Sequence, residues 1–151
     1  MQIRQYTLAD VKDMIDLGYV MHQEGAYKFL PYVPKKLEQL AKSFKKNKQG
    51  NMWVGIYDNK IIGMYIAFVN EYFFCYEKIA NDLLLYVHPD YRNKCPSMAI
   101  RLIKKAEEWA KEQKAIEFCP ASSVGISIGK VAKLYNFLKY ETVGNLFKKR
   151  L

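Results

Sequence analysis

The chain has 151 residues, half of them hydrophobic and 15% aromatic, with a net charge of +9. That length and apolar content exclude a disordered chain and suit one domain, residues 1–151, with a core of its own. No apolar run reaches bilayer length, and the first residues lack the apolar stretch and cleavage site of a secretory signal.

Residues 2–6 alternate like a strand. Thr7 is placed to cap a helix, with Asp10 three residues on. Val11, Met14, Ile15, Gly18 and Met21 form one helical stripe, and Gly25 suits its end. Residues 26–33 are an aromatic loop. Pro34 opens a second helix with Leu37, Leu40, Ala41 and Phe44 on one face. Residues 52–57 and 60–69 read as a hairpin around Asp58-Asn59. Residues 79–87 supply another strand, and 97–113 a helix with Ala99, Leu102, Ile103, Ala106, Trp109 and Ala110 inward. Residues 115–119 are a short strand. Ile128, Val131, Ala132, Tyr135 and Leu138 mark a last helix, and 143–149 a closing strand. The order β-α-α-β-β-β-α-β-α-β predicts an α/β (α+β) fold with one mixed central sheet flanked by helices.

Chemistry concentrates between Leu83 and Trp109. A strand runs into His88-Pro89, then a basic loop Arg92-Asn93-Lys94-Cys95-Pro96-Ser97 opens an amphipathic helix. A helix start has unpartnered N–H groups and partial positive charge, so it favours phosphates. Arg92 and Lys94 add whole charges. The stretch YVHPDYRNKCPS resembles the acetyl-CoA motif of the Gcn5-related N-acetyltransferases, the GNAT superfamily. In that family an R/Q-x-x-G-x-G/A loop cradles the pyrophosphate of coenzyme A. Its two glycines fall here on Cys95 and Ser97, with Pro96 between them. Cys95 is then either a thiol activated by its helix start and two cations, or an inert filler of a glycine-sized space.

The resemblance implies a GNAT-like fold over essentially the whole chain, acetyl-CoA as cofactor, and acetyl transfer to an amine of a small molecule or protein. It places Leu85, Tyr86 and Val87 beside the pantetheine arm, a backbone N–H near Val87 at the thioester carbonyl, and Arg92, Asn93, Lys94, Cys95, Ser97 and Met98 at the phosphates. VAKLYNFLKY at residues 131–140 is similar to the family's A-x-x-L-Y-x-x-x-G-F ending. Tyr135 thereby falls on the tyrosine that protonates the departing sulfur; a phenol is a suitable donor to a thiolate. The loop after the first helix would cover the acceptor, lined by Glu24, Tyr27, Phe29 and Tyr32.

The positions where many relatives carry a glutamate base hold Asn81 and Leu83. Strand alternation puts Asp82 on the opposite face. His88, His22, Glu24 and Glu71 are further candidates, and no base is assigned. Two alternatives accompany the transferase reading. One is a GNAT-fold binding or structural module with weakened or lost transfer, suggested by Cys95, Pro96, Ser97 and the missing base. The other is a nucleic-acid-associated protein, suggested by charge alone, against which the lysines lie scattered on solvent faces without a recognition motif. Three cysteines without metal spacing and two distant histidines argue against a metal site and for reduced thiols in a cytoplasmic setting. A homodimer is compatible with all of this.

Overall fold

The computed structural model describes residues 1–121, 125–144 and 146–150. Strand β1 (Gln2–Gln5) leads through a 3-10 turn at Leu8–Asp10 into α1 (Val11–Glu24). Asp10 fixes this entry: it accepts from the Thr7 N–H at 2.6 Å and takes both Arg4 guanidinium nitrogens at 2.7 and 2.8 Å. Helix α2 (Pro34–Asn47) starts at its proline and ends where Lys48 turns left-handed. Strands β2 (Gly50–Tyr57) and β3 (Lys60–Glu71) join through Asp58 and Asn59, both at positive φ, as a two-residue hairpin turn requires. Strand β4 (Lys78–Val87), the short helix α3 (Pro89–Arg92), α4 (Met98–Glu112), β5 (Ala115–Cys119) and α5 (Ile128–Phe137) follow.

The five strands lie in the order β1-β2-β3-β4-β5, antiparallel except for the β4–β5 pair. The α4 crossover makes that last pairing parallel. Side-chain alternation divides the core in two. Met52, Val54, Met64, Ile66 and Tyr86 pack with α1 and α2, whereas Trp53, Tyr65, Ala67, Ala80 and Val87 pack with α4 and Tyr135. Close approach of α4 depends on Gly55: a Cβ there would meet the Met98 sulfur at 2.2 Å. Mixed sheet and flanking helices agree with the sequence reading.

Residues 143–149 depart from it. Those of them that are described form no strand, and Val143, Leu146 and Phe147 stand 76–88% exposed. A strand needs a neighbour to pair with. This segment instead runs to the loop after α1, where the Lys148 ammonium lies 4.4 Å from the Tyr27 ring centre and the Arg150 guanidinium 4.0 Å from that of Phe29.

Candidate active site

Two features of β4 build the site. Its pairing with β5 covers Lys78–Asn81, after which the two strands separate. His88 donates its N–H to the Ile62 carbonyl of β3 at 2.8 Å. By alternation, Leu85 and Val87 therefore turn their backbone groups away from β3, toward the opened edge. The second feature is a bulge: Ile66 of β3 pairs with Leu84 but its neighbour Ala67 pairs with Asp82, so Leu83 is extruded.

The bulge overturns the alternation argument for Asp82. An extra residue reverses the facing of everything before it relative to everything after it. Asp82 consequently shares the face of Leu85 and Val87, toward α4 and α5, instead of pointing away. It borders a cavity of about 360 Å³ between β4 and α5, together with Leu85, Tyr86, Val87, Arg92 and Tyr135. That volume is within the range of small-molecule sites. Asp82 accepts the Ala121 N–H at 2.8 Å. Burial nonetheless pushes its carboxyl up to about 6, against two backbone hydrogen bonds that favour the charge.

Tyr135, in the last helix, is 9% exposed, and its hydroxyl has no hydrogen-bond partner among the described residues. The same holds for the Tyr65 hydroxyl, which belongs to the same cluster of the core. Burial, and then the nearby Asp82 charge, hold Tyr135 well above the ordinary phenol pKa. It is therefore a neutral O–H donor. Buried polar groups are normally paired. A lone hydroxyl bordering a cavity is what a polar ligand atom would satisfy. Tyr140 rests its ring on Tyr135 at 5.1 Å and donates to Glu107, which fixes the end of α5 against α4.

At the phosphate-loop end the expected residues separate. Arg92 gives its Nε–H to the Val87 carbonyl at 2.9 Å and its two terminal nitrogens to Glu24 at 2.7 and 2.6 Å. Glu24 also accepts the Tyr86 hydroxyl at 2.7 Å, and its carboxyl is held below the usual range, chiefly by Arg92. Glu24, expected at the acceptor, is thus joined to two residues expected at the cofactor. Asn93, Cys95 and Pro96 border the cavity. Lys94 lies over the Tyr91 ring at 5.1 Å, Ser97 caps α4 beyond the cavity, and Met98 is fully buried under Gly55. Cys95 is 5% exposed within the core and gives its N–H to the Tyr91 carbonyl at 2.8 Å. Its burial suits the space-filling alternative. Its amide is taken, and Pro96 has none to offer.

Of the acceptor-loop residues, Tyr32 is tied to α1: its hydroxyl donates to the Ile15 carbonyl at 2.8 Å, over Gly18, and its ring packs on His22 at 5.3 Å. Tyr27 and Phe29 carry the two C-terminal cations. The base of this loop adjoins the cavity wall, since a Cβ on Gly125 would stand 2.8 Å from that of Ala26 and the next residue, Ile126, borders the cavity. Among the described residues no cluster suits a metal ion, and no helix is long and apolar enough to cross a membrane.

Comparison with known proteins agrees with this fold. A profile described as the Acetyltransferase (GNAT) family matches residues 19–124. The crystal structure of a transcriptional regulator from Bacillus halodurans C-125 is similar, with 19% identity, a TM-score of 0.80 and 99% of each chain covered. Ribosomal-protein-alanine N-acetyltransferase from Brucella melitensis biovar Abortus 2308 has 17% identity and a TM-score of 0.75 over 100% of both chains. AAC(6')-Iy, solved with the bisubstrate analog CoA-S-monomethyl-acetylneamine, has 15% identity and a TM-score of 0.77, covering 99% of this chain and 97% of its own. A search of curated proteins finds no match.

Proposed function

Since the chain belongs to the GNAT acetyltransferase family, we propose that it transfers an acetyl group from acetyl-CoA to the amine of a small molecule or a protein. The observation that carries this reading is Asp82 and Tyr135 bordering one cavity beside the unpaired edge of β4.

The cavity fits the cofactor in three respects. The free backbone groups of Leu85 and Val87 suit the amides of an extended pantetheine arm, as in strand addition. The Tyr135 hydroxyl, without a partner among the described residues, would offer its O–H to a group bound in the cavity. Arg92 and Asn93, with the start of α4, form the end suited to phosphates. When bound, acetyl-CoA supplies an activated thioester. The residues do the rest. Asp82, ionised above about 6, accepts the proton that an amine must lose. A β4 backbone N–H at the open edge polarises the acyl oxygen. Tyr135 gives its proton to the departing sulfur.

The test is calorimetry with acetyl-CoA followed by thiol release with a panel of amines. Binding and release from wild type, with release suppressed in Tyr135→Phe, are expected. Absence of binding at millimolar acetyl-CoA would end the reading. A second reading, a binding module without transfer, draws on Arg92 being held by Glu24 and on the missing amides at Cys95 and Pro96. It predicts binding without thiol release from any amine.

A further inference from the structure

On its α4 side the cavity is poor in donors for a phosphate. Arg92 gives its two terminal nitrogens to Glu24, so its charge is already matched. The Cys95 N–H is bonded to the Tyr91 carbonyl, the Met98 N–H to the Cys95 carbonyl, and Pro96 has none. Lys94 lies over the Tyr91 ring and does not border the cavity. A ligand that carries a diphosphate therefore needs a cation from another wall.

The α5 side has one. Ser127, Lys130, Val131, Leu134 and Tyr135 all border the cavity. Counted from Ser127, their offsets of three, four, seven and eight residues put them on a single helix face. Arg92 and Lys130 are the cations among the described residues of the cavity wall, and Lys130 enters none of the ion pairs among the described residues. Helical side chains lean toward the N-terminus, so the Lys130 ammonium is carried to the start of α5. Ser127 gives that start no side-chain cap, which leaves its hydroxyl and the partial positive charge of the first turn for a ligand.

The helix also runs in the sense a long cofactor would need. Its start lies at the Arg92 end of the cavity: a Cβ on Gly125 would stand 2.8 Å from that of Ala26, two residues past Glu24. Tyr135 follows Ser127 by eight residues, about 12 Å along the axis. It is 9% exposed, and its hydroxyl has no partner among the described residues. One face of α5 thus presents an unmet hydroxyl at one end and an unmatched cation at the other. A pantetheine arm separates the sulfur of coenzyme A from its diphosphate over a comparable length.

Resting on the proposed acetyl-CoA binding, we infer that Lys130 holds the diphosphate of the cofactor, with Ser127 and the first turn of α5 beside it. The anion is then clasped between two helices, by Asn93 and Arg92 on the α4 side and by Lys130 on the α5 side.

Calorimetric titration with acetyl-CoA compares wild type, Lys130→Gln and Lys133→Gln. Each variant removes one charge from an exposed position of the same helix, and of the two lysines only Lys130 borders the cavity. Lys130→Gln should weaken binding about tenfold or more, as loss of a hydrogen bond to a charged group does, and Lys133→Gln by less than about twofold. The Lys130→Gln deficit should shrink in high salt, and Lys130→Arg should bind much as wild type does. S-acetylpantetheine, which has no phosphate, should bind wild type and Lys130→Gln alike. Full affinity in Lys130→Gln, equal losses in Lys130→Gln and Lys133→Gln, or an equal loss for acetyl-CoA and S-acetylpantetheine overturns this inference and leaves the transferase reading standing. Wild-type protein that binds no acetyl-CoA at millimolar concentration removes both.

Discussion

Replacing Asp82 by asparagine should make the protein more stable and less active. The magnitude follows from the carboxyl's displacement, from an ordinary 3.8 to about 6. Each pKa unit is worth about 1.4 kcal/mol, so holding the ionised group in this site costs on the order of 3 kcal/mol. The sign is fixed by linkage. Below 3.8 both folded and unfolded chains carry a protonated Asp82, and there is no penalty. Between 3.8 and about 6 the unfolded chain ionises first, so folding loses ground as pH rises. Above about 6 the full penalty is present. Asparagine keeps an oxygen for the Ala121 N–H and never ionises. Urea unfolding of wild type and Asp82→Asn at several pH values should therefore show equal stability at the acid end. At neutral pH the variant should lead by up to ~3 kcal/mol, or roughly 6–12 °C in Tm. Acetyl transfer should fall about a hundredfold or more as the proton acceptor is lost. A variant less stable than wild type at neutral pH, or a gap that ignores pH, would refute the buried carboxylate and with it the base.

Tyr135→Phe removes a hydroxyl that has no partner among the described residues, so thermal unfolding should change by less than about 1 kcal/mol while turnover drops, with acetyl-CoA affinity retained. Glu24→Gln loosens the grip on Arg92; calorimetry should show tighter acetyl-CoA binding from the freed guanidinium, at a stability cost of roughly 1 kcal/mol for this part-exposed pair. Gly55→Ala drives a Cβ into the Met98 sulfur and should destabilise by about 1–3 kcal/mol in denaturant. Alkylation with peptide mapping should modify exposed Cys75 well before buried Cys95.

The helices were legible from their apolar stripes: the α4 face read from Leu102, Ile103, Ala106, Trp109 and Ala110 is the face found buried, whereas in α5 the stripe holds only in part, with Tyr135 buried and Ile128 and Ala132 exposed. The β2–β3 turn was legible from Asp58-Asn59, two residues that tolerate positive φ. The site was harder to read. A bulge leaves no mark on hydrophobic pattern when it falls in the apolar run Leu83-Leu84-Leu85, so alternation gave Asp82 the wrong face. The signal available was the aspartate itself, a charge inside a strand otherwise suited to burial. The Glu24–Arg92–Tyr86 cluster joins residues more than 60 positions apart, and no local pattern encodes it. The C-terminal segment reads as a strand from Val143, Leu146 and Phe147, but pattern cannot supply the neighbouring strand on which pairing depends.

The central claim is that the opened edge of β4 binds acetyl-CoA along its backbone. Calorimetric titration of wild type beside Leu85→Pro tests it most directly, because proline removes one of the N–H groups that face the open edge, that of Leu85, and leaves the β3 pairing in place. One-site binding to wild type, with a loss of about tenfold or more in a Leu85→Pro variant that still unfolds cooperatively, is the expected result. Equal affinity for both proteins would contradict the account.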